Sequence, residues 1–497
     1  MSTTGTALVT GATGYIGGRL APRLAAAGWT VRALARTPAK LDDAPWVGEG
    51  TVVQGDLSDR DSLMRAFDGV DVVYHLVHSM GGDGTGDFKE EEAESARNVA
   101  AAAKACGVSR IVYLGGLHPD GTKLSKHLAS RVEVGEILLA SGIETVVLQA
   151  GVVIGSGSAS FELIRHLTER LPVMTTPRWV HNTIQPIAVR DALHYLVEAA
   201  SATVPESRAW DIGGTEVFEY GEMMQLYAQA AGLPKRRMIV LPYLTPTLAS
   251  RWVGTVTPIP TSLARPLVES LECDAVMKNH DIDEVIPRPD GGLLTYRQAL
   301  DAALDRVRRA DTSVPWSNAD ASVSPAEPLP SDPAWAGEDV MVEERTATTR
   351  ITPKQLWDTV SSIGGDTGWF TLDAVWRART AVDLVVGGGP GPKKRRPTGE
   401  PTKGEPLDWW RVEDVEPGRL LRLRAETTMP GTAWLELGVE PDGSGARLRQ
   451  RTIYYPKGLA GLGYWYGQLP AHKVIFATLV RDIIRNAEKS ARSSTRA

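Results

Sequence analysis

The sequence predicts an α/β protein: a doubly wound parallel sheet with a small additional lobe, followed by a separate α+β domain. Three observations predict it. Residues 6–154 alternate short apolar runs with helical patterns. A glycine-rich turn, "VTGATGYIGG", joins the first run to the first helix. A Pro/Ser/Asp-rich stretch at 311–335 then gives way to strands with turn signals and a long closing helix.

The apolar runs are "TALVTG", "TVRALAR", "TVVQGD", "VDVVYHLV", "RIVYLGG" and "TVVLQAGVVIG". They are nearly continuous in Val, Ile and Leu, as strands buried on both faces require. Between them lie helical patterns such as "GYIGGRLAPRLAAAG" and "EEAESARNVAAAAKACG". Strand–helix alternation implies right-handed crossovers and ligands bound beyond the carboxyl ends of the strands. The dinucleotide-type domain is placed at 1–230, a small substrate lobe at 231–310, the linker at 311–335 and the second domain at 336–492. In the last, "TPKQLWDTVSSIGG" reads as a helix with a Thr cap and Pro in its first turn. The closing helix is read from "PAHKVIFATLVRDIIRNAEKSA".

Bulk properties narrow the functional classes. At 497 residues the chain is too long for one core. A net charge of −6 argues against nucleic-acid binding, which needs a basic field. The two cysteines, Cys106 and Cys273, offer neither a disulfide framework nor metal spacing, so no metal site is expected. No run of about 18 apolar residues predicts a membrane span, and the N-terminus lacks signal-peptide shape. A cytoplasmic protein is expected.

The turn after the first strand carries Gly11, Gly14 and Gly17. In this strand–turn–helix setting the first glycine permits the turn and the second lets backbone approach a pyrophosphate. The third lets helix and sheet pack closely, the pattern of a Rossmann dinucleotide site. At the end of the second strand an acid would favour NAD. This chain has Arg36 there, with Lys40 nearby, so NADP(H) is favoured over NAD(H). "QGDLSD" puts Asp56 and Leu57 where adenine would lie.

With these motifs, together with "VVYHLV", "RIVYLGGL", "QPIAVRDALHYLV" and "WDIGG", the chain resembles the extended or atypical short-chain dehydrogenase/reductases, near the NmrA-like and NAD(P)-dependent epimerase proteins. The resemblance implies cofactor contacts from Gly11, Thr13, Gly14, Tyr15, Ile16, Arg36, Asp56 and Leu57. It places Leu76, Val77 and His78 on the ribose side. The segments "LDWWRVEDVEPGRLLRLRAE" and "YYPKGLAGLGYWY" resemble a domain of unknown function that follows such Rossmann domains. That domain is similar to the START-like helix-grip fold, whose members often enclose hydrophobic ligands.

The reductases of this superfamily use a Tyr-xxx-Lys pair with a preceding serine. None of the 12 tyrosines here has Lys four residues later, and the serine position reads Gly115–Gly116. The helix in question reads "LSKHLASRVEVGEIL" and offers His127 and Arg131 at the same spacing. An imidazole titrates near neutrality and can donate a proton. Arg131 keeps the lysine's charge but cannot relay protons. Catalysis, cofactor positioning and a solvated helix face are all open to the pair.

Other residues draw weaker readings. His75 is expected to pack or lie at the surface, and Asp191 to cap the helix "DALHYLVEAA". Arg178, Trp179, His181 and Gln185 fall near the substrate lobe. The basic run "GPKKRRPTGEPTKGEP" reads as a solvated loop. The function these observations favour is an NAD(P)H-dependent oxidoreductase acting on a hydrophobic carbonyl, enone or quinone-like substrate, held or shielded by the second domain. Its partner is then a small hydrophobic molecule, and an oligomer is compatible with the sequence. The alternatives are an NADP(H)-binding redox sensor without turnover, a nucleotide-sugar epimerase, and a lipid carrier.

Overall fold

The structure is a computed structural model that describes residues 5–42, 44, 46, 48, 50–77, 88–241, 245–310, 340–364, 369, 400–427 and 429–494. His78, the linker 311–335 and most of the basic run lie outside the described residues. The chain divides into two compact units, one essentially residues 1–308 and one 338–497.

The first unit alternates strand and helix: β1 (Thr6–Thr10), α1 (Tyr15–Ala26), β2 (Thr30–Ala35), β3 (Gly50–Gln54), α2 (Arg60–Phe67), β4 (Val72–His75), α3 (Phe88–Ala105), β5 (Arg110–Gly116), α4 (Lys126–Leu139) and β6 (Glu144–Ala150). There follow β7 (Val153–Ile154), α5 (Ala159–Arg170), β8 (Val173–Thr176), β9 (Thr183–Ile184), β10 (Ile187–Ala188), α6 (Val189–Glu198) and β11 (Arg208–Ile212). β12 (Phe218–Glu219), α7 (Tyr220–Ala230), β13 (Arg237–Val240), α8 (Pro246–Val256), α9 (Thr261–Ser270), α10 (Ile282–Val285) and α11 (Tyr296–Ala310) complete it.

The seven-stranded parallel sheet has the order β11-β6-β5-β4-β1-β2-β3. Its strands read as unbroken apolar runs because alternate residues feed two cores. Ala7, Val9, Val72, Tyr74, Val112 and Leu148 pack with α1 and α6. Leu8, Val73, Ile111, Tyr113 and Val147 pack with α2, α3 and α4. A third core gathers Phe161, Ile164, Met223, Tyr227, Val253, Ala264 and Leu300, so the lobe draws on residues from 154 to 304.

Asp191 does not cap its helix. α6 starts at Val189 with Ala188 at the N-cap position, and Asp191 lies fully buried within the first turn. Its carboxylate accepts from the Leu294 N–H at 2.8 Å and pairs with Arg190 at 2.6 Å. Arg190 also donates to the Gly292 carbonyl at 2.6 Å. Asp191 therefore ties α6 to the segment before α11, a long-range bond that local spacing does not reveal.

The second unit comprises β14 (Met341–Thr349), α12 (Pro353–Val360), β15 (Pro406–Leu407), β16 (Trp410–Glu416), β17 (Leu420–Ala425), β18 (Gly431–Asp442), β19 (Gly445–Pro456) and α13 (Gly458–Ser494). Its sheet is antiparallel, ordered β14-β19-β18-β17-β16-β15. Thr352 caps α12 in a reciprocal box with Gln355, with Pro353 at its start. Leu435, Leu437 and Leu448 on one sheet face pack against Phe476, Leu479, Val480 and Ile483 of α13. That helix begins at Gly458 and runs through Pro470, well upstream of the proline where its apolar periodicity becomes clear. On the other face Arg422 lies 3.1 Å from Glu413 and 3.6 Å from Glu436. Among the described residues no helix is long and apolar enough to cross a membrane.

Candidate cofactor cleft and catalytic helix

The turn between β1 and α1 is shaped for backbone approach. Gly11 has φ +73°, and a Cβ there would lie 2.9 Å from the Leu76 carbonyl oxygen. A Cβ on Gly17 would lie 2.3 Å from the Gly11 carbonyl oxygen, which is why helix and turn can close together. The Gly14 N–H donates to the Gly11 carbonyl at 2.9 Å. Gly14 is exposed at the N-cap of α1, which has no side-chain cap and no acid in its first turn. The first N–H groups of α1 thus have no carboxylate competing for them, the arrangement that favours an anionic pyrophosphate. Thr13 is half-buried in the turn, while Tyr15 and Ile16 pack against the sheet core. The Arg19 guanidinium lies 4.1 Å from the centroid of the Tyr15 ring and donates to the Tyr15 carbonyl at 3.2 Å. The Tyr15 hydroxyl abuts Gly155, where a Cβ would lie 2.3 Å from it. Helix α1 is thereby held against the loop after β7.

The next two strands supply the other wall. Arg36 is exposed directly after β2, and Gln54 donates to its carbonyl at 3.4 Å. Asp56 follows β3. Its carboxyl is held below the usual range chiefly by the Ser58 N–H at 3.0 Å, then by the Ser58 hydroxyl at 2.9 Å and the Arg36 charge. Leu57 is buried, its carbonyl accepting from Asn98 at 3.0 Å. Leu76 is buried beside Gly11, and Val77 is half-buried. These residues fit a dinucleotide: a glycine cradle for the pyrophosphate, a guanidinium and a carboxylate flanking the adenosine end.

Helix α4 opens with Ser125, whose hydroxyl accepts from the Leu128 N–H at 3.2 Å. His127, Arg131, Val134 and Leu138 follow one stripe at helical spacing. Val134 and Leu138 are buried in the sheet core, so the same stripe carries the first two toward the sheet. Arg131 Nη2 donates to the Leu114 carbonyl, near the carboxyl end of β5, at 2.6 Å. His127 is only 7% exposed. Burial, and secondarily the Arg131 charge, pushes its pKa down to about 3, so its imidazole is neutral at neutral pH. The solvated-face reading does not describe this histidine. At Gly115 an added Cβ meets only ordinary contacts, the nearest at 3.5 Å, so sterics do not forbid a serine there.

Beneath the cleft, Leu57, His75, Glu92 and Tyr113 line a small cavity. His75 is 2% exposed with its ring centroid 5.8 Å from that of Tyr113, and it packs rather than facing solvent. Burial pushes its pKa down to about 4, and its Nδ1 has no hydrogen-bond partner. Glu92, which sequence reasoning passed over, is buried and accepts from Ser130 of α4. Also missed was His118, half-buried just past β5. Nearby, Lys278 binds Asp120 at 2.7 Å and gives its backbone N–H to the buried Asp211 at 2.6 Å. The only early signal for His118 was its position after a predicted strand end. Gln185 serves structure, donating to the Gly214 carbonyl at 2.7 Å and accepting from the Met277 N–H at 3.1 Å. Trp179 packs edge-on against Tyr220 at 5.5 Å, and His181 pairs with Glu219 at 2.8 Å. Among the described residues no cluster of His, Cys, Asp and Glu is able to hold a metal ion.

Strand order, glycine cradle and flanking groups define a dinucleotide-binding Rossmann unit. Residues 11–152 match the family described as NAD(P)H-binding. The chain is 32% identical over 237 residues to the (4-alkanoyl-5-oxo-2,5-dihydrofuran-3-yl)methyl phosphate reductase of Streptomyces griseus, spanning 46% of this chain and 75% of the relative. It is 26% identical over 249 residues to the ceramide reductase of Caulobacter vibrioides, spanning 48% and 74%. Among solved structures it is similar to the triphenylmethane reductase of Citrobacter sp. complexed with NADP(H). The TM-score is 0.47 and the identity 17%, with coverage of 60% of this chain and 99% of that one. The chain belongs to the NAD(P)-binding, Rossmann-type reductase/epimerase family. Residues 335–479 match a family described as protein of unknown function, DUF2867.

Proposed function

We propose that the protein is an NADP(H)-dependent reductase of a hydrophobic carbonyl, enone or quinone-like substrate. The observation that carries this reading is the cradle of Gly11, Gly14 and Gly17 facing a strand end that bears Arg36 in place of an acid. A guanidinium favours the extra phosphate of NADP(H). The names of two relatives, reductases of an alkanoyl-bearing methyl phosphate and of ceramide, support a substrate that carries an alkyl chain. When bound, the nicotinamide supplies the hydride. The protein's own task is then to hold the acceptor and stabilise negative charge on its oxygen.

His127 is read here as a neutral imidazole whose N–H donates a hydrogen bond to that oxygen, with the proton itself coming from solvent. Such an imidazole polarises a carbonyl without acting as a strong acid. Arg131, anchored on the Leu114 carbonyl, is read as the group that positions the nicotinamide ribose. Leu76 and Val77 are read as lining the same side. The second unit is read as a START-like helix-grip domain, on its antiparallel sheet and 37-residue helix. The test is NADPH consumption against a panel of alkyl ketones, enones and quinones, with His127→Ala expected to lose turnover while keeping cofactor affinity. Undiminished turnover in that variant overturns the role of His127.

One observation favours a second reading. Gly115 and Gly116 leave no hydroxyl where reductases of this type keep a serine, and His127 is uncharged. A redox sensor needs neither. It binds the cofactor, distinguishes the reduced from the oxidised form, and turns nothing over on the same panel.

A further inference from the structure

Helix α13 buries one side and leaves the other to solvent. Trp465, Phe476, Leu479, Val480 and Ile483 are buried, and the last four pack against the sheet of the second unit. The opposite side is reached by steps of three and four residues, the spacing that holds one face of a helix. It carries Leu459, Gly463, Tyr466, Pro470, Val474 and Ala477, every one of them exposed. Continued by the same steps, the face carries Arg481, Arg485, Lys489 and Arg492, also exposed.

The two halves of that face differ in chemistry. Along the first half Leu459, Tyr466 and Val474 are 47%, 61% and 60% exposed. A Cβ added to Gly463 or Gly467 would meet nothing within 4 Å, so the surface between them is open. No acidic residue occurs from Gly458 to Arg481. The helix is therefore apolar on both sides here, and a helix apolar all round calls for cover on both. The second half is basic. Arg481 pairs with its neighbour Asp482 at 3.3 Å, whereas Arg485, Lys489 and Arg492 have no ion-pair partner among the described residues. Glu488, the other acid of the helix, is engaged by Thr349 at 2.8 Å.

The chemistry of the cover follows from that division. The chain as a whole carries −6, so the cations on this face are a local excess. At 1.5 Å per residue the face runs about 50 Å from Leu459 to Arg492. An exposed apolar stretch continued by unpaired cations is the pattern of a helix that lies in the boundary of an anionic bilayer. Tyr466 suits that boundary, with an apolar ring and a hydroxyl that stays wet. A second copy does not match the face. Parallel pairing sets cations against cations, and antiparallel pairing buries cations against apolar side chains. Among the described residues no helix is long and apolar enough to cross a membrane, so α13 would lie on the surface rather than through it.

We propose that this face of α13 docks the second unit on an anionic lipid surface. Leu459, Tyr466 and Val474 enter the headgroup boundary, and Arg481, Arg485, Lys489 and Arg492 meet the anionic headgroups. The surface belongs to the second unit alone and does not rest on the reductase reading.

The test is co-flotation of the full chain with vesicles of phosphatidylcholine alone, and with vesicles in which about a third of the lipid is phosphatidylserine. The proposal expects binding to the anionic vesicles about tenfold or more above that to the neutral ones, weakening as salt is raised. Two double variants address the two halves of the face. Arg485→Gln with Lys489→Gln, and Tyr466→Ser with Val474→Ser, should each lower binding about tenfold or more while the far-UV spectrum and NADPH affinity stay as they are. All four side chains are exposed, so neither variant opens a core. No binding to the anionic vesicles, equal binding to the neutral ones, or binding unchanged in either folded variant overturns the proposal. A dimer that Tyr466→Ser with Val474→Ser dissolves, in a protein that binds no vesicle, assigns the face to a second copy and overturns it as well.

Discussion

His75 gives the sharpest test of how the first unit is built. It closes β4, is fully buried, and burial lowers its pKa from 6.5 to about 4. In the unfolded chain the imidazole takes a proton near pH 6.5, while in the folded unit it resists until about pH 4. Between those values the unfolded state binds more protons, so stability falls as pH drops. At about 1.4 kcal/mol per pH unit, the loss across that window comes to roughly 3 kcal/mol. The perturbation is His75→Phe, which keeps a ring beside Tyr113 and removes an Nδ1 that has no hydrogen-bond partner. The assay is hydrogen exchange as a function of urea, followed in peptides covering β4 and β5 so that the first unit is read alone. At pH 7 wild type and variant should differ little. Between pH 6.5 and 4 the wild type should lose stability relative to the variant at about 1.4 kcal/mol per pH unit. Parallel pH dependence of the two proteins would refute the claim that His75 is held neutral by burial.

The remaining predictions concern the cleft. Gly17→Val puts a Cβ 2.3 Å from the Gly11 carbonyl oxygen, so the cradle must shift, and NADPH affinity measured by calorimetry should fall about tenfold or more. Arg36→Ser should cost NADPH about tenfold in affinity and leave NADH unchanged, because a charge-assisted hydrogen bond contributes about 1.5–3 kcal/mol. Equal losses for both cofactors would show that Arg36 does not read the extra phosphate. With His127 neutral above about pH 3, turnover should show no fall near pH 6.5 of the kind a histidinium acid produces. Arg131→Ala should weaken cofactor binding, and Arg131→Lys should restore part of it.

The parts of the fold that rest on periodicity were legible in the sequence. The parallel sheet follows from runs such as "RIVYLGG", whose alternate residues enter two cores, Ile111 and Tyr113 on one side and Val112 and Leu114 on the other. The cradle was legible because glycine is required where backbone meets backbone, as at Gly17. Long-range partners were not. Asp191 looked like a cap because caps are local, whereas its true partner, the Leu294 N–H, lies 103 residues away. The start of α13 was hidden because "GLAGLGYWYGQLP" carries glycines and a proline that a periodicity reading treats as breaks. The neutral state of His127 depends on burial, which the spacing of His127 and Arg131 did not reveal.

Transfer of the label from nicotinamide-deuterated NADPH tests the central claim most directly. The full chain is incubated with the labelled cofactor and an apolar enone or ketone, and the product is weighed by mass spectrometry. One deuterium should be carried into the reduced product, and lost in His127→Ala while NADPH still binds. Tight NADPH binding with no label in any product across the panel would contradict it and leave the cofactor site as a sensor.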